Sequence, residues 1–149
     1  MKSDQLNAMV LEDVKVDVKL KLSALWAALM FIYLYVDIFG FYKPGSIENI
    51  LAGQVWKFDI TQSWALSAMT LMTIPSLMVF LAMALPAKVN RWTNIVVAIL
   101  YIVVSIGNVV GETWAYFFLG AGVESMLLVL IVWHAWKWPS SLSERARKS

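Results

Sequence analysis

Three acids fall within or beside stretches that are otherwise apolar: Asp37, Glu112 and Glu124. Glu124 stands near the middle of "FFLGAGVESMLLVLIVWHAWKWP", residues 117–139. A carboxyl group in such surroundings is open to three kinds of chemistry. It holds a proton, it meets a cation or water, or it acts as a general acid. If the stretch is a helix, Phe117, Gly120, Ala121, Glu124, Leu128 and Ile131 share one face. The glycine and alanine just before the acid permit another helix to approach closely. Glu124 is therefore expected to point into a helix bundle, roughly 15 Å deep at ~1.5 Å rise per residue.

Further polar residues recur at helical spacing. Asn94, Ala98, Tyr101, Ser105 and Asn108 follow one another at steps of four and three, with Glu112 continuing the row if the helix runs that far. Ser23, Trp26, Met30, Tyr33 and Asp37 form a second row. Ser63, Ser67 and Thr70 are expected to add hydroxyls at the same level as Asp37. No lysine or arginine lies inside these stretches. An ionised carboxylate without a partner is costly in a low dielectric, so Glu124 is expected to carry a proton or to meet a cation or water. The candidate ligand- or proton-binding residues are Glu124, Asp37, Tyr101, Asn108, Tyr33, Ser105 and Glu112. The pattern is that of an outward-opening polar pocket ending at Glu124 and Tyr101.

The elements that must position these residues follow from composition. The chain has 149 residues, of which 60% are hydrophobic and 15% charged, and its mean hydropathy is +0.70. A helix needs about 20 apolar residues to cross a hydrocarbon layer of roughly 30 Å. Four stretches reach that length: 22–42, 63–85, 92–111 and 113–136. The expected fold is all-α, a polytopic four-transmembrane-helix bundle forming a single membrane domain over 1–149. The connection 43–62 contains a Pro44-Gly45 turn, Ser46 as a cap, and Ile47, Ile50, Leu51 and Val55 on one face, with Gly53 as a stop. These features predict a short interfacial helix between the first two spans, with a lid over a pocket as the alternative.

"VKVDVKLKL", residues 14–22, alternates at period two and reads as a strand in isolation. A lone strand at a membrane surface has no partner, and the competing reading is an irregular or helical lead-in. Pro75 removes one N–H from the second span and frees the carbonyl of Leu71. In lipid that carbonyl needs a donor from a neighbour.

All of the 12 lysines and arginines except Lys43 and Lys57 fall on one side of the expected topology. The positive-inside rule then places both termini in the cytoplasm, with 1–21 a juxtamembrane segment and 140–149 a disordered tail. Trp56, Trp64 and Trp114 mark the outer boundary, and Trp92, Trp133, Trp136 and Trp138 the inner one. No cleavable leader pattern is present in the first 21 residues. Cysteine is absent and histidine occurs once, so the chain has no thiol relay of its own and no pair of axial histidines for a haem. No metal site and no cofactor are expected. His134, in "WHAWKW", is expected to meet headgroups.

The segments 11–27, "IPSLMVFLA" (74–82), "NRWTNI" (90–95) and "VWHAWKWP" (132–139) resemble a family of small prokaryotic four-helix integral membrane proteins known as a domain of unknown function. The resemblance implies a four-span fold and a prokaryotic inner or plasma membrane, and supplies no activity, ligand or catalytic residue. More distantly, the chain is similar to DoxX-type membrane proteins. Small multidrug exporters match in size and span number, but their essential glutamate lies in the first span, whereas Glu124 lies in the fourth.

Three functions remain on this reading. The first is a transporter-like or receptor-like protein that binds a proton, a cation or a small amphipathic molecule. The second is a non-catalytic partner or assembly subunit in which Glu124 joins helices. The third is a membrane enzyme on a lipid-soluble substrate, with Glu124 as general acid and Asp37 or Tyr101 as its partner. The expected partners are membrane lipids, the ligand itself and further copies of the chain, and not nucleic acid.

Overall fold

The computed structural model describes residues 15–138. The expected tail over 140–149 and the juxtamembrane residues before 15 lie outside that range. Five helices and one small hairpin form in the order α1 (Val18–Phe41), α2 (Ser46–Leu51), β1 (Gln54–Val55), β2 (Phe58–Asp59), α3 (Gln62–Ala84), α4 (Ala87–Val109) and α5 (Ala115–Trp136). The fold is all-α in its frame, as expected, with α1, α3, α4 and α5 each long and apolar enough to span a membrane.

Local chemistry sets the ends. Asp17 caps α1, its carboxylate accepting from the Lys19 N–H at 2.7 Å. This cap resolves the period-two stretch in favour of helix from Val18 onward. Thr61 caps α3 in the same way through the Trp64 N–H at 3.1 Å. Pro86 holds Leu85 extended and opens α4. The last member of the expected polar row, Glu112, is lost here, because α4 stops at Val109 and Gly111 turns the chain with φ 90°. Glu112 therefore sits in the α4–α5 connection and not on the helix.

The connection between α1 and α3 carries the expected short helix, with one correction. Ser46 is its first residue and not its cap; Gly45, at φ 84°, occupies the cap position without a side-chain bond. Gly53 ends it at φ 82°, its N–H meeting the Ile50 carbonyl. The β1–β2 hairpin that follows, Gln54 opposite Asp59 and Val55 opposite Phe58, was not legible in the sequence. Its turn holds Trp56 at φ 56°, a costly backbone for an aromatic residue. The Trp56 ring packs on Phe117 at 6.2 Å between centroids, which helps to hold that conformation.

Around the bundle, α1 packs between α3 and α5, and α5 packs on α4, while α3 and α4 touch only sparsely. Trp26, Leu22, Leu29, Met78, Tyr101, Leu128 and Ile131 are fully buried between them. Large apolar residues such as Phe31, Leu66, Phe80, Val103 and Leu119 point outward. Only 17–28% of the most apolar window of each span is buried inside the chain, which leaves the outward-pointing apolar side chains to face hydrocarbon.

Three side chains define one end of the bundle, here the terminal end. Lys19 Nζ donates to the carbonyls of Met83 (3.2 Å) and Leu85 (2.8 Å), Asn90 Nδ2 donates to Ala82 O (2.6 Å), and the Arg91 guanidinium lies over the Trp136 ring. The start of α1, the end of α3, the start of α4 and the end of α5 thus share a side. The opposite side, the hairpin end, carries α2, the hairpin and the α4–α5 turn.

Candidate functional site

Glu124 projects from α5 toward α1 and α4, and is 4% exposed. Gly120, one turn earlier, lets α1 come close: a Cβ at that position would lie 2.5 Å from Val36 Cγ2. The sequence-predicted face is the buried one, with Gly120, Glu124, Leu128 and Ile131 all buried. Ser105 on α4 donates to Glu124 Oε2 at 2.9 Å. The Tyr33 hydroxyl of α1 lies 3.3 Å from Ser105 Oγ. A serine has one proton to give. With that proton directed at Glu124, Tyr33 donates to Ser105, and the chain runs Tyr33 to Ser105 to Glu124 across three helices. Among the described residues, no ion pair reaches Glu124.

A cavity of about 40 Å³ opens on this carboxyl from the hairpin end, lined by Tyr33, Val36, Asp37, Met72, Asn108 and Phe117, with Ala121 and Glu124. Asp37 and Asn108 are exposed and sit at its rim, while Tyr33 and Glu124 are buried at its floor. A water needs roughly 10–15 Å³ of such volume, so about three or four waters fit and a drug-sized molecule does not. Trp56 of the hairpin rests on Phe117, a lining residue, so the hairpin stands beside the mouth.

The structure places Glu124, Asp37, Tyr33, Ser105 and Asn108 in this region. It does not bring Tyr101 or Glu112 into the lining. Tyr101 is fully buried, with its ring 6.5 Å from that of Tyr33, but its hydroxyl turns to α3 and donates to the carbonyl of Leu71. That is the carbonyl Pro75 releases, so Tyr101 supplies the donor the proline removes. Glu112 instead pairs with Lys43 at 3.0 Å, joining the α4–α5 turn to the end of α1. Ser63, Ser67 and Thr70 also miss the cavity. All three are exposed, and Ser67 and Thr70 spend their hydroxyls on the carbonyls of Ser63 and Leu66 in their own helix. The acids and hydroxyls therefore form a narrower site than the sequence pattern implied.

A second polar group lies nearer the terminal end. Trp26 Nε1 donates to Asn94 Oδ1 at 2.7 Å, Asn94 Nδ2 donates to Asn90 Oδ1 at 2.6 Å and to Asn90 O at 2.8 Å, and Asn90 Nδ2 reaches Ala82 O. Asn90 carried no weight in the sequence reading. Its position one turn before Asn94 on the same face was the available signal. Among the described residues, no group of three or more His, Asp or Glu side chains could hold a metal ion.

Four helices long and apolar enough to span a membrane, packed around a buried carboxyl group beside a small cavity, define a small polytopic membrane protein. The chain belongs to a family of unknown function, DUF6326, whose model matches residues 9–143. No curated protein and no solved structure matches it.

Proposed function

We propose that this protein exchanges a proton between Glu124 and the aqueous phase at the hairpin end, as the ion-handling site of a transporter-like membrane protein. The observation that carries this reading is the Glu124 carboxyl itself. It is nearly inaccessible, has one serine donor and no ion pair among the described residues, and forms the floor of a cavity sized for water. A carboxylate in that position avoids the cost of an unpaired charge by holding a proton or a small cation. Asp37 and Asn108 at the rim favour entry of water and cations, and Tyr33 and Ser105 orient the acid from below. The volume favours a proton or small cation over an amphipathic molecule.

The distribution of lysine and arginine supports placing the hairpin end outside and both termini in the cytoplasm, and the family resemblance suggests a prokaryotic plasma membrane. The second reading, a joining role for Glu124 in a non-catalytic subunit, draws on the same Ser105–Glu124 bond, which ties α4 to α5. An enzyme using Tyr101 beside Glu124 is disfavoured, because the Tyr101 hydroxyl is engaged by Leu71.

Infrared titration of the full chain in lipid distinguishes the two leading readings. Wild type should show a carboxylic acid band that changes with the pH or cation content of the outer solution and is missing in Glu124→Gln. The amide keeps an oxygen for Ser105 and removes titration, so the variant should fold. A Glu124 band indifferent to outer pH and to added Na⁺ or K⁺ would leave only the joining role.

A further inference from the structure

The terminal end of α4 and α5 carries cations without acceptors among the described residues. Arg91 lies in the second turn of α4, with its guanidinium carbon 5.4 Å from the centre of the Trp136 ring. Its Nε is buried and has no hydrogen-bond partner, and no ion pair among the described residues involves it. The Nη groups of the same guanidinium, which are not buried, also meet no acceptor among the described residues and are the donors open to an outside group. Lys88 stands three residues earlier, on the same side of α4, and is exposed. Lys137 follows Trp136 and holds its ammonium 4.4 Å from the centre of the Trp133 ring. Trp133 and Trp136 are themselves exposed, 47% and 61%.

This arrangement selects a ligand. A planar fork with free donors beside point charges matches a phosphate group. Exposed indoles beside it, at the end of two membrane spans, match the depth at which headgroups meet acyl chains. A soluble phosphate would have no use for the indoles, whereas a lipid-borne one sits against both. We propose that Lys88, Arg91 and Lys137, together with Trp133 and Trp136, form a site for the phosphate of an anionic phospholipid. Lys19 does not belong to it, because its ammonium caps α3. The site lies at the opposite end of the bundle from Glu124 and stands independently of the proton reading.

The test is native mass spectrometry of the full chain in detergent, with phosphatidylglycerol, phosphatidylcholine or inorganic phosphate added. Wild type should retain phosphatidylglycerol in preference to phosphatidylcholine. Arg91→Gln should lower that retention about tenfold, and Lys88→Gln about fivefold. Arg91→Lys, which keeps the charge but not the fork, should fall between wild type and Arg91→Gln. Millimolar inorganic phosphate should not displace the lipid. Equal retention of the two lipids by wild type, or unchanged retention in Arg91→Gln, would overturn the site. Displacement by inorganic phosphate would overturn the assignment to a lipid. If Arg91→Gln does not fold, Lys88→Gln and Lys137→Gln decide, since both side chains are exposed; undiminished retention in both would also overturn it.

Discussion

The contact between Tyr101 and the Leu71 carbonyl permits a double-mutant cycle with a predicted sign. Pro75 has no N–H, so the Leu71 carbonyl has no helical donor of its own, and the Tyr101 hydroxyl on α4 is its partner. Tyr101→Phe keeps the fully buried ring and its packing against Trp26 and Tyr33. It strands the carbonyl between two helices. A stranded buried acceptor costs about 1–3 kcal/mol, and interhelical bonds in membranes have measured about 0.6 kcal/mol on average, at most about 1.7. A loss of about 1–1.5 kcal/mol is expected. Pro75→Ala restores an N–H four residues after Leu71 and returns the carbonyl to its own helix. In that background Tyr101→Phe should cost under about 0.5 kcal/mol, so the coupling is close to 1 kcal/mol, well above the usual additivity error of about 0.3–0.5 kcal/mol. The stability of Pro75→Ala itself does not enter, since only the difference between backgrounds is read. Reversible unfolding of the full chain in mixed micelles gives all four corners. Equal costs of Tyr101→Phe in the two backgrounds would refute the account of how α3 tolerates its proline.

Gly120→Val should destabilise the bundle by about 1–3 kcal/mol, the usual cost of forcing extra atoms into a packed contact. Val36→Ala should recover part of it, because Val36 Cγ2 is the atom the new side chain meets; thermal unfolding of the single and double variants checks this. Removing Lys43 should cost more than neutralising its partner, since the Glu112 side chain is 4% exposed and that of Lys43 30%. Lys43→Met strands a buried carboxylate, whereas Glu112→Gln frees a lysine that reaches water, and equal melting temperatures for the two variants would contradict this. Reporter fusions at residue 149 and a tag at Gly53 should label opposite sides of the membrane, with Gly53 outside; reversed labelling would invert the proposed topology.

The frame of the molecule was legible because hydrocarbon thickness translates directly into the length of apolar stretches, and helical periodicity into a buried face. Glu124, Ser105 and Tyr33 were found on those grounds. The sequence pattern misled where a polar residue had a local use. Ser67 and Thr70 satisfy themselves within one turn of α3, which periodicity does not distinguish from facing a partner. Glu112 was extrapolated along a helix that Gly111 ends. Lys43 lies outside every span and so was not weighed as a partner for Glu112, although the turn brings it back. The hairpin over 54–59 has no Asn-Gly or Asp-Gly signal, and its turn depends on Trp56 adopting a positive φ.

The polar row along α4 invites a reading as a path through the membrane, and the hydrogen bonds argue against that in this conformation. Asn90 and Asn94 spend their amides on Ala82, on each other and on Trp26, and all three side chains are fully buried. Ala98, also fully buried, breaks the row between Asn94 and Tyr101. Tyr101 then faces α3, so the hydroxyls that serve Glu124 begin only at Tyr33 and Ser105. The cavity is thus a vestibule closed toward the terminal end by a satisfied amide pair and an indole. A charge leaving Glu124 in that direction would have to break bonds between fully buried side chains. On the proposed proton reading, transport across the bundle, as opposed to exchange at one face, therefore needs a second arrangement of α4 against α1 and α3, the helices its asparagines bond. Near the middle of the α3–α4 contact, the cross-helix bond among the described residues is the one Tyr101 gives to Leu71. The same substitution that tests the proline should then alter exchange at Glu124: if α3 moves, Tyr101→Phe changes the rate at which the Glu124 band responds to outer pH, and if α3 is only a wall, the rate stays as in wild type.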